Sequence, residues 1–204
     1  MEPVVLPLFS KVIYVKVTNI DCASVVKKLK EKMVQSGEKT DVIKNLSLSS
    51  YDKKVLERKK FKSLKDEIME ELYEYTKNVL KYSNDFKMTT SWFTEANKNQ
   101  ESNYHNHNNC MISGCLYLNV NKDTGGINFN NFDNYRFQLE SNECNVYNSR
   151  DFTINPKNGT IIFFPSEVYH KILKNNSNMK RISLAFNFIP IGKIGYNGDS
   201  QLEI

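Results

Sequence analysis

The stretch that decides the fold is His105-Asn-His-Asn-Asn-Cys-Met-Ile-Ser-Gly-Cys-Leu-Tyr-Leu118, two histidines followed by a strand-like apolar run. Side chains on an extended backbone alternate between faces, so His105 and His107 point the same way and can both bind one ion. The third histidine of the chain, His170, follows a second apolar run at 159–164. We therefore predict a metal site built from His105, His107 and His170.

Short strand-like runs separated by Asn, Gly, Pro and Asp continue on both sides of this stretch, from about residue 86 onward. This pattern is typical of an antiparallel sandwich or barrel. The predicted strands are Met88–Phe93, Met111–Val120, Gly126–Phe129, Tyr135–Leu139, Gly159–Phe164, His170–Leu173 and Arg181–Ile189.

The first third of the chain predicts one strand and two helices. The strand covers Val12–Val17, and the first helix runs from an Asp21 N-cap to Gly37. A capping-box-like pair, Ser63 and Asp66, starts the second helix. Apolar residues recur at helical spacing in both, so we expect each helix to bury one face. These residues are Val25, Val26, Leu29 and Met33 in the first helix, and Leu64, Ile68, Leu72, Tyr75 and Val79 in the second.

Length and composition favour one domain for residues 1–204, since 204 residues with 40% hydrophobic content can build one buried core. We expect a helical support region with an N-terminal strand at 1–85, a β core at 86–190 and a tail at 191–204. No apolar run is long enough to span a membrane, and the start lacks a secretion signal. Four irregularly spaced cysteines fit reduced thiols. Together these features predict a cytoplasmic protein.

Arg181 opens an alternating strand eleven residues after His170. The planar fork of an arginine on the inner face of that strand could bind a carboxylate bidentately. Imidazoles that hold a metal on one face and leave the opposite positions open are what non-haem iron oxygenases use to bind a keto-acid and dioxygen. The histidines and Arg181 together therefore favour a site of this kind.

These residues also carry a family resemblance. The stretch from His105 to Leu118 resembles the His-x-His and Ser-Gly-x-Tyr-Tyr pattern of a family of 2-oxoglutarate- and Fe(II)-dependent oxygenases found in marine bacteria and phages. The runs Gly125–Phe129, Gly159–Ser166 with His170, and Arg181–Asn187 resemble its later strands in order. The preceding Ser91-Trp92 fits as well. The resemblance covers roughly residues 86–190.

The resemblance implies a double-stranded β-helix, the cupin-like jelly roll of prolyl-hydroxylase-like oxygenases, mainly β and backed by N-terminal helices. It implies that His105 and His170 bind iron, that Arg181 binds the distal carboxylate of 2-oxoglutarate and that Tyr117 hydrogen-bonds the same carboxylate. The implied activity is a dioxygenase, a hydroxylase that uses Fe(II), 2-oxoglutarate and O₂. The catalytic centre would be His105, His107 and His170, and the location the host cytoplasm if the gene belongs to a phage.

One position departs from the family pattern. Most relatives carry Asp or Glu where this chain has His107, so a third imidazole replaces a carboxylate. A neutral ligand leaves the ion with one more net positive charge, which affects metal choice and redox potential. A site with only two metal-binding histidines also stays open.

Several other interpretations stay open at this stage. His105 and His107 could be loop residues, His170 a buried strand-edge residue, Arg181 a surface residue and Tyr117 a core residue. A structural zinc site using Cys110 and Cys115 is disfavoured, because all its ligands would crowd within one strand. The alternative function is a cupin-like metal-binding protein with another reaction or a binding-only role. The substrate, small or peptidyl, is unidentified, nucleic acid is disfavoured, and a homodimer is left open.

Overall fold

The computed structural model of the chain describes residues 3–35, 45–132, 139–195 and 202–204. Within these ranges the protein is mainly β, with two α-helices. The strands are β1 Tyr14–Val17, β2 Met33–Gln35, β3 Leu48–Ser50, β4 Asp85–Ala96, β5 Ile112–Asn119, β6 Ile127–Asn130, β7 Asp151–Ile154, β8 Thr160–Pro165, β9 Tyr169–Ile172, β10 Arg181–Ile191, β11 Lys193–Ile194 and β12 Leu202–Glu203. The helices are α1 Cys22–Lys28 and α2 Lys62–Tyr73, with short 3-10 turns at Val55–Glu57 and Lys59–Phe61 and a π-helical turn at Glu74–Val79.

The strands form two main sheets. The major sheet has seven strands in the order β1-β8-β5-β10-β4-β3-β2, and the minor sheet has three in the order β7-β6-β9. Neighbouring strands pair antiparallel in both sheets. Strand β10 lies at the centre of the major sheet, between β5 and β4. The major sheet therefore presents one face to the minor sheet and the other to the helices.

Alternating side chains of the central strands build two cores. On β5, Leu116 and Leu118 pack into the core shared with α2, whereas Cys115 and Tyr117 face the minor sheet. Strand β5 is buried almost throughout because both of its faces are covered. This arrangement of two antiparallel sheets with a helical backing is the predicted double-stranded β-helix, and that prediction is confirmed.

The first helix is shorter than predicted. Helix α1 ends at Lys28, because Leu29 is already extended, and Met33 belongs to β2, where it pairs with Ser50. Strand pairing with β3 thus overrides the helical spacing of the apolar residues. Gly37, the predicted end of this helix, lies outside the described residues.

The second predicted helix is present, but its start differs from the prediction. Helix α2 begins at Lys62 and has no side-chain cap, so the capping box of Ser63 and Asp66 is wrong. The Ser63 hydroxyl contacts Glu67 instead. Leu64, Ile68, Leu72 and Tyr75 are buried as expected, whereas Val79 is exposed.

In the β region, one predicted strand is largely untested and one strand of the structure was not predicted. Most of the predicted strand Tyr135–Leu139 lies outside the described residues, and Leu139 is not in a strand. The strand that pairs with β6 on this side is β7, which the sequence did not predict. Its exposed Asp151 and Phe152 weaken the alternation on which a prediction would rest.

The division of the chain at residue 86 stays a prediction. Strand β4 begins at Asp85, and the residues before it contribute β1, β2 and β3 to the major sheet as well as the two α-helices. None of the helices in the described ranges is long and apolar enough to cross a membrane.

Candidate metal centre

Backbone pairing brings the three histidines together. The N–H of His105 donates to the carbonyl of His170 at 3.0 Å, and the N–H of His170 donates back to His105 at 2.9 Å. The N–H of His107 donates to the carbonyl of Ser166, which follows the apolar run that precedes His170. The ring centroids of His105 and His170 lie 4.4 Å apart, and His107 lies within 5.3 Å of both. The structure therefore brings the three predicted ligands into one cluster.

Each imidazole already has a partner at Nδ1. His105 Nδ1 lies 2.9 Å from the Asn103 carbonyl, and His170 Nδ1 lies 2.9 Å from the Val168 carbonyl. Because a carbonyl only accepts, Nδ1 carries the proton in both rings and Nε2 is left as a lone-pair donor. One potential ligand atom from each of the three histidines lies within 4.8 Å of the other two. An ion with bonds of about 2.1 Å to imidazole would draw these nitrogens closer together.

His107 is oriented by a polar network instead of a backbone carbonyl. Its Nδ1 lies 2.7 Å from Asn187 Oδ1 and 2.9 Å from the hydroxyl of Ser113. The amide of Asn187 donates to Thr90, and Ser113 also contacts Ser166 at 2.8 Å. A network that uses Nδ1 in this way presents Nε2 to the other two rings, as an outer shell does around a metal-binding histidine.

Burial keeps the inner histidines neutral. His170 is only 4% exposed and packs edge-on against Phe164 at 4.7 Å. Desolvation by burial, with help from the neighbouring His105, lowers the pKa of His170 to about 3. Burial also lowers the pKa of His107. Neutral imidazole is the form that binds a metal ion.

The cluster opens into a cavity of about 730 Å³ between the two sheets. Alternate residues of β10 face it, namely Arg181, Ser183, Ala185 and Asn187. On β4, Thr94, Trp92 and Thr90 lie directly beside the last three of these residues. The histidines and Arg181 therefore line the same cavity.

Arg181 is a buried cation without an acidic partner among the described residues. The side chain is 2% exposed, and its Nη1 donates to the carbonyls of Thr124 and Leu173, both at 2.9 Å. Burial lowers the pKa of Arg181, but a guanidinium stays charged in proteins. These two bonds use two of its five N–H donors. A buried charge is costly unless paired, so the remaining donors favour binding of an anion from the cavity.

The two carbonyls that hold Arg181 are positioned by a tight approach of two loops. Gly125 has a φ of +79°, and a Cβ there would press on the carbonyl of Leu173 and lie 2.7 Å from that of Lys174. Only glycine tolerates both this conformation and this proximity.

Tyr117 lies close to Arg181 on the neighbouring strand, where it pairs with Ser183. Its hydroxyl is, among the described residues, the one buried side-chain oxygen or nitrogen without a hydrogen-bond partner. Burial raises the pKa of Tyr117 well above its ordinary value, so the group is a neutral O–H donor. Tyr117 interacts with the Cys115 thiol and with Arg181 and is not among the residues that line the cavity, so its role in binding a carboxylate stays a prediction.

Comparison with known proteins gives a consistent result. Residues 90–187, which include all five predicted site residues, match a family described as "Putative 2OG-Fe(II) oxygenase". This match spans just under half of the chain and confirms the predicted family resemblance. A search of curated proteins finds no match for this chain.

Solved structures share the fold of this chain at low sequence identity. A prolyl-4-hydroxylase from Pseudomonas putida is 16% identical, with a TM-score of 0.59 over 91% of this chain and 96% of that one. HygX from Streptomyces hygroscopicus, solved with nickel, 2-oxoglutarate and hygromycin B, is 10% identical, with a TM-score of 0.61 over 88% and 83%. The epimerase SnoN from nogalamycin biosynthesis is 12% identical, with a TM-score of 0.64 over 93% and 81%. At these identities the comparison supports the fold.

The cysteines of the disfavoured zinc hypothesis do not join the histidines. Within the described part of the chain, the potential metal cluster contains the three histidines alone. Cys110 contacts the Asn108 carbonyl and Ser113, while Cys115 is buried on the inner face of β5.

Some residues of the cavity were missed by the sequence analysis. Ser183 and Asn187 lie on the face of β10 that Arg181 occupies, and counting in steps of two from Arg181 would have found both. Lys53 and Trp92 also line the cavity. No local pattern marks Lys53, because it reaches the site only through the packing of its loop against β4.

Replacing Tyr117 with phenylalanine is expected to have two opposite effects. The metal-free protein should gain about 1 kcal/mol of unfolding free energy, because a buried hydroxyl without a partner is removed. Affinity for 2-oxoglutarate should fall about tenfold, because a donor to its carboxylate is lost. Denaturant unfolding and calorimetric titration measure the two effects. A Tyr117→Phe variant with lower stability and unchanged affinity would make Tyr117 a core residue only.

Proposed function

We propose that the oxygenase binds Fe(II) through His105, His107 and His170 and hydroxylates a C–H bond of its substrate. One observation supports this proposal most strongly. Three imidazoles with available Nε2 atoms line the same cavity as Arg181, which has no acidic partner among the described residues. Imidazole suits iron, and a cluster confined to one side leaves coordination positions for a keto-acid and oxygen. When bound, iron would activate O₂, the oxidant of the reaction: one oxygen atom would pass to 2-oxoglutarate as it loses CO₂ and becomes succinate, and the other would enter the C–H bond of the substrate.

The protein's own residues bind 2-oxoglutarate and orient the metal ligands. Arg181 and the Tyr117 hydroxyl are suited to the distal carboxylate of 2-oxoglutarate, because one supplies charge and the other a neutral donor. The network of Asn187 and Ser113 holds the ring of His107 in one tautomer. A cupin that binds only a metal has no need of a buried arginine, so Arg181 favours the oxygenase reaction over the binding-only alternative.

Anaerobic titration with Fe(II) and then 2-oxoglutarate tests this function. A keto-acid that chelates iron through two oxygens produces a weak visible charge-transfer band, which we expect at one equivalent of each ligand. The Arg181→Ala variant should need far more 2-oxoglutarate to give the same band. A protein that binds iron but gives no band at saturating 2-oxoglutarate would be a metal-binding protein of another kind.

Substitutions of His107 test whether all three histidines bind the metal. His107→Ala should weaken Fe(II) binding by at least about tenfold, because it opens a coordination position, while the keto-acid can still bind. His107→Asp should retain iron, because a carboxylate oxygen on the same face restores the ligand set usual in the family. Fe(II) dissociation constants of the three proteins decide the question. Equal constants across the series would leave a site with two histidines.

Some finer features are part of the same proposal. We infer that the two sheets close as a jelly roll and that the gene has a phage or bacterial source. A cytoplasmic location is supported by the four cysteines, all of which are free thiols. The substrate is a small molecule or a peptide, nucleic acid stays the disfavoured alternative, and light scattering tests whether the protein is a homodimer.

A further inference from the structure

Lys53 and Trp92 lie next to each other in the wall of the cavity. The ring of Trp92 lies 5.8 Å from that of His107, and the ammonium of Lys53 lies 5.8 Å from the indole centroid. Trp92 thus lies close to both the metal cluster and the cation of Lys53. Both residues line the cavity that holds the histidines.

Hydrogen bonds fix the position of Lys53. Its ammonium donates to the hydroxyl of Ser49 and the carbonyl of Ser50, both at 2.8 Å. Its carbonyl accepts from the N–H of Ser91 at 2.7 Å, which ties the loop to β4 next to Trp92. An ammonium has three N–H donors, so one is left for a ligand.

The wall of the cavity carries positive charge alone. Among the described residues, Lys53 and Arg181 line it and no aspartate or glutamate does. Lys53 is exposed as a residue, yet it forms no ion pair within the described residues, and partial desolvation lowers its pKa. The three histidines add no negative charge either, because they are neutral ligands. With Arg181 assigned to 2-oxoglutarate, Lys53 is a cation without a counterion.

We propose that the substrate of the oxygenase is a small organic anion, whose carboxylate or phosphate pairs with Lys53 and whose body lies against Trp92. This inference rests on the proposed function, because it takes Arg181 and the histidines as already occupied. The faces of an indole suit a flat or apolar body. The hydroxyls of Ser47, Ser49 and Thr94, which line the same wall, add donors around the charged end.

The fluorescence of Trp92 provides a direct test, because it is the single tryptophan of the chain. The intact protein is titrated with benzoate, phenyl phosphate and the uncharged benzamide, first without metal and then, anaerobically, with Fe(II) and 2-oxoglutarate bound. At least one anion should quench Trp92 with an affinity about two- to fivefold above that of benzamide, the gain typical of a partly exposed ion pair. The relative affinities of benzoate and phenyl phosphate identify the preferred group.

Variants of two adjacent lysines separate a specific contact from a general charge effect. Lys53→Met should abolish the preference for the anion, and so should Lys53→Gln, which keeps a donor for Ser49 and Ser50. Lys54→Met removes the same charge from an exposed neighbour and should change nothing. The iron and 2-oxoglutarate charge-transfer band should be the same in all of these proteins.

Any of three affinity results would overturn the proposal. They are benzamide binding as tightly as both anions, Lys53→Met behaving like the parent protein, and Lys54→Met behaving like Lys53→Met. Loss of the charge-transfer band on adding the anion would also overturn it, because the anion would then be competing at Arg181. Anion binding through Lys53 in a parent protein that shows no band would instead refute the proposed function and leave the anion subsite intact.

Discussion

His170→Ala is expected to abolish stoichiometric Fe(II) binding. Losing an outer-shell partner of a metal-binding histidine already costs about 10- to 100-fold in affinity, so loss of the ligand itself should cost more than about 100-fold. His105→Ala should have the same effect. Calorimetric or fluorescence titration under anaerobic conditions measures both constants. Asn106→Ala, which alters the residue between two ligands, is the matched control and should bind iron normally.

The two histidine variants differ in their expected stability. His105 is exposed, so its replacement should leave the protein folded. His170 is buried against Phe164, so its replacement also removes packing. His170→Ala leaves a cavity and should lower the unfolding free energy by about 1–3 kcal/mol, whereas His105→Ala should be nearly neutral. Full iron occupancy in a folded His105→Ala protein would remove that residue from the metal site.

Arg181→Ala is expected to weaken 2-oxoglutarate binding by about 2–5 kcal/mol, the cost of deleting one partner of a desolvated charge pair. This corresponds to a factor of roughly 30 to several thousand in the dissociation constant. Fe(II) affinity should be unchanged, because no histidine contacts the guanidinium. The charge-transfer band serves as the readout for the keto-acid, and direct titration serves for the metal.

The neighbouring lysine supplies the control for this variant. Lys180 pairs with Glu95 at the surface, so Lys180→Ala removes one positive charge without touching the cavity. It should bind 2-oxoglutarate like the parent protein. Arg181→Lys keeps the charge but loses the bidentate fork, and we expect intermediate affinity. Equal affinity in Arg181→Ala and the parent would mean that another base binds the distal carboxylate.

The sequence predicted the parts of the site that depend on local geometry. Strand alternation placed His105 and His107 on one face, and the alternating run after Arg181 placed that residue on the inner side of β10. Its buried position beside Tyr117 follows from the strand order, which the family resemblance implied. The metal and co-substrate roles of these residues stay predictions, which the titrations test.

The features that the sequence did not predict depend on long-range packing. The helical spacing of Leu29 and Met33 was misleading because Met33 pairs with β3, whose position depends on the whole sheet. Lys53 reaches Trp92 because its loop is tied to Ser91 on β4, far along the chain. Strand alternation can place Asn187 on the inner face of β10, but it cannot reveal its hydrogen bond with His107 across 80 residues of chain. Contacts of this kind leave no periodic signal within a short window.

The way in which Arg181 is held bears on how this enzyme can diverge. Its guanidinium is anchored by two main-chain oxygens, at Thr124 and Leu173, so the side chains of those residues take no part in the anchor. Substitution of the Leu173 side chain can therefore leave the arginine in place, whereas the buried Thr124 is held by the hydrogen bonds of its hydroxyl with Asn121. Gly125 is under the opposite constraint, because any side chain there would displace the carbonyl of Leu173. The position of the arginine thus depends on a backbone contact at one glycine more than on the side chain of Leu173.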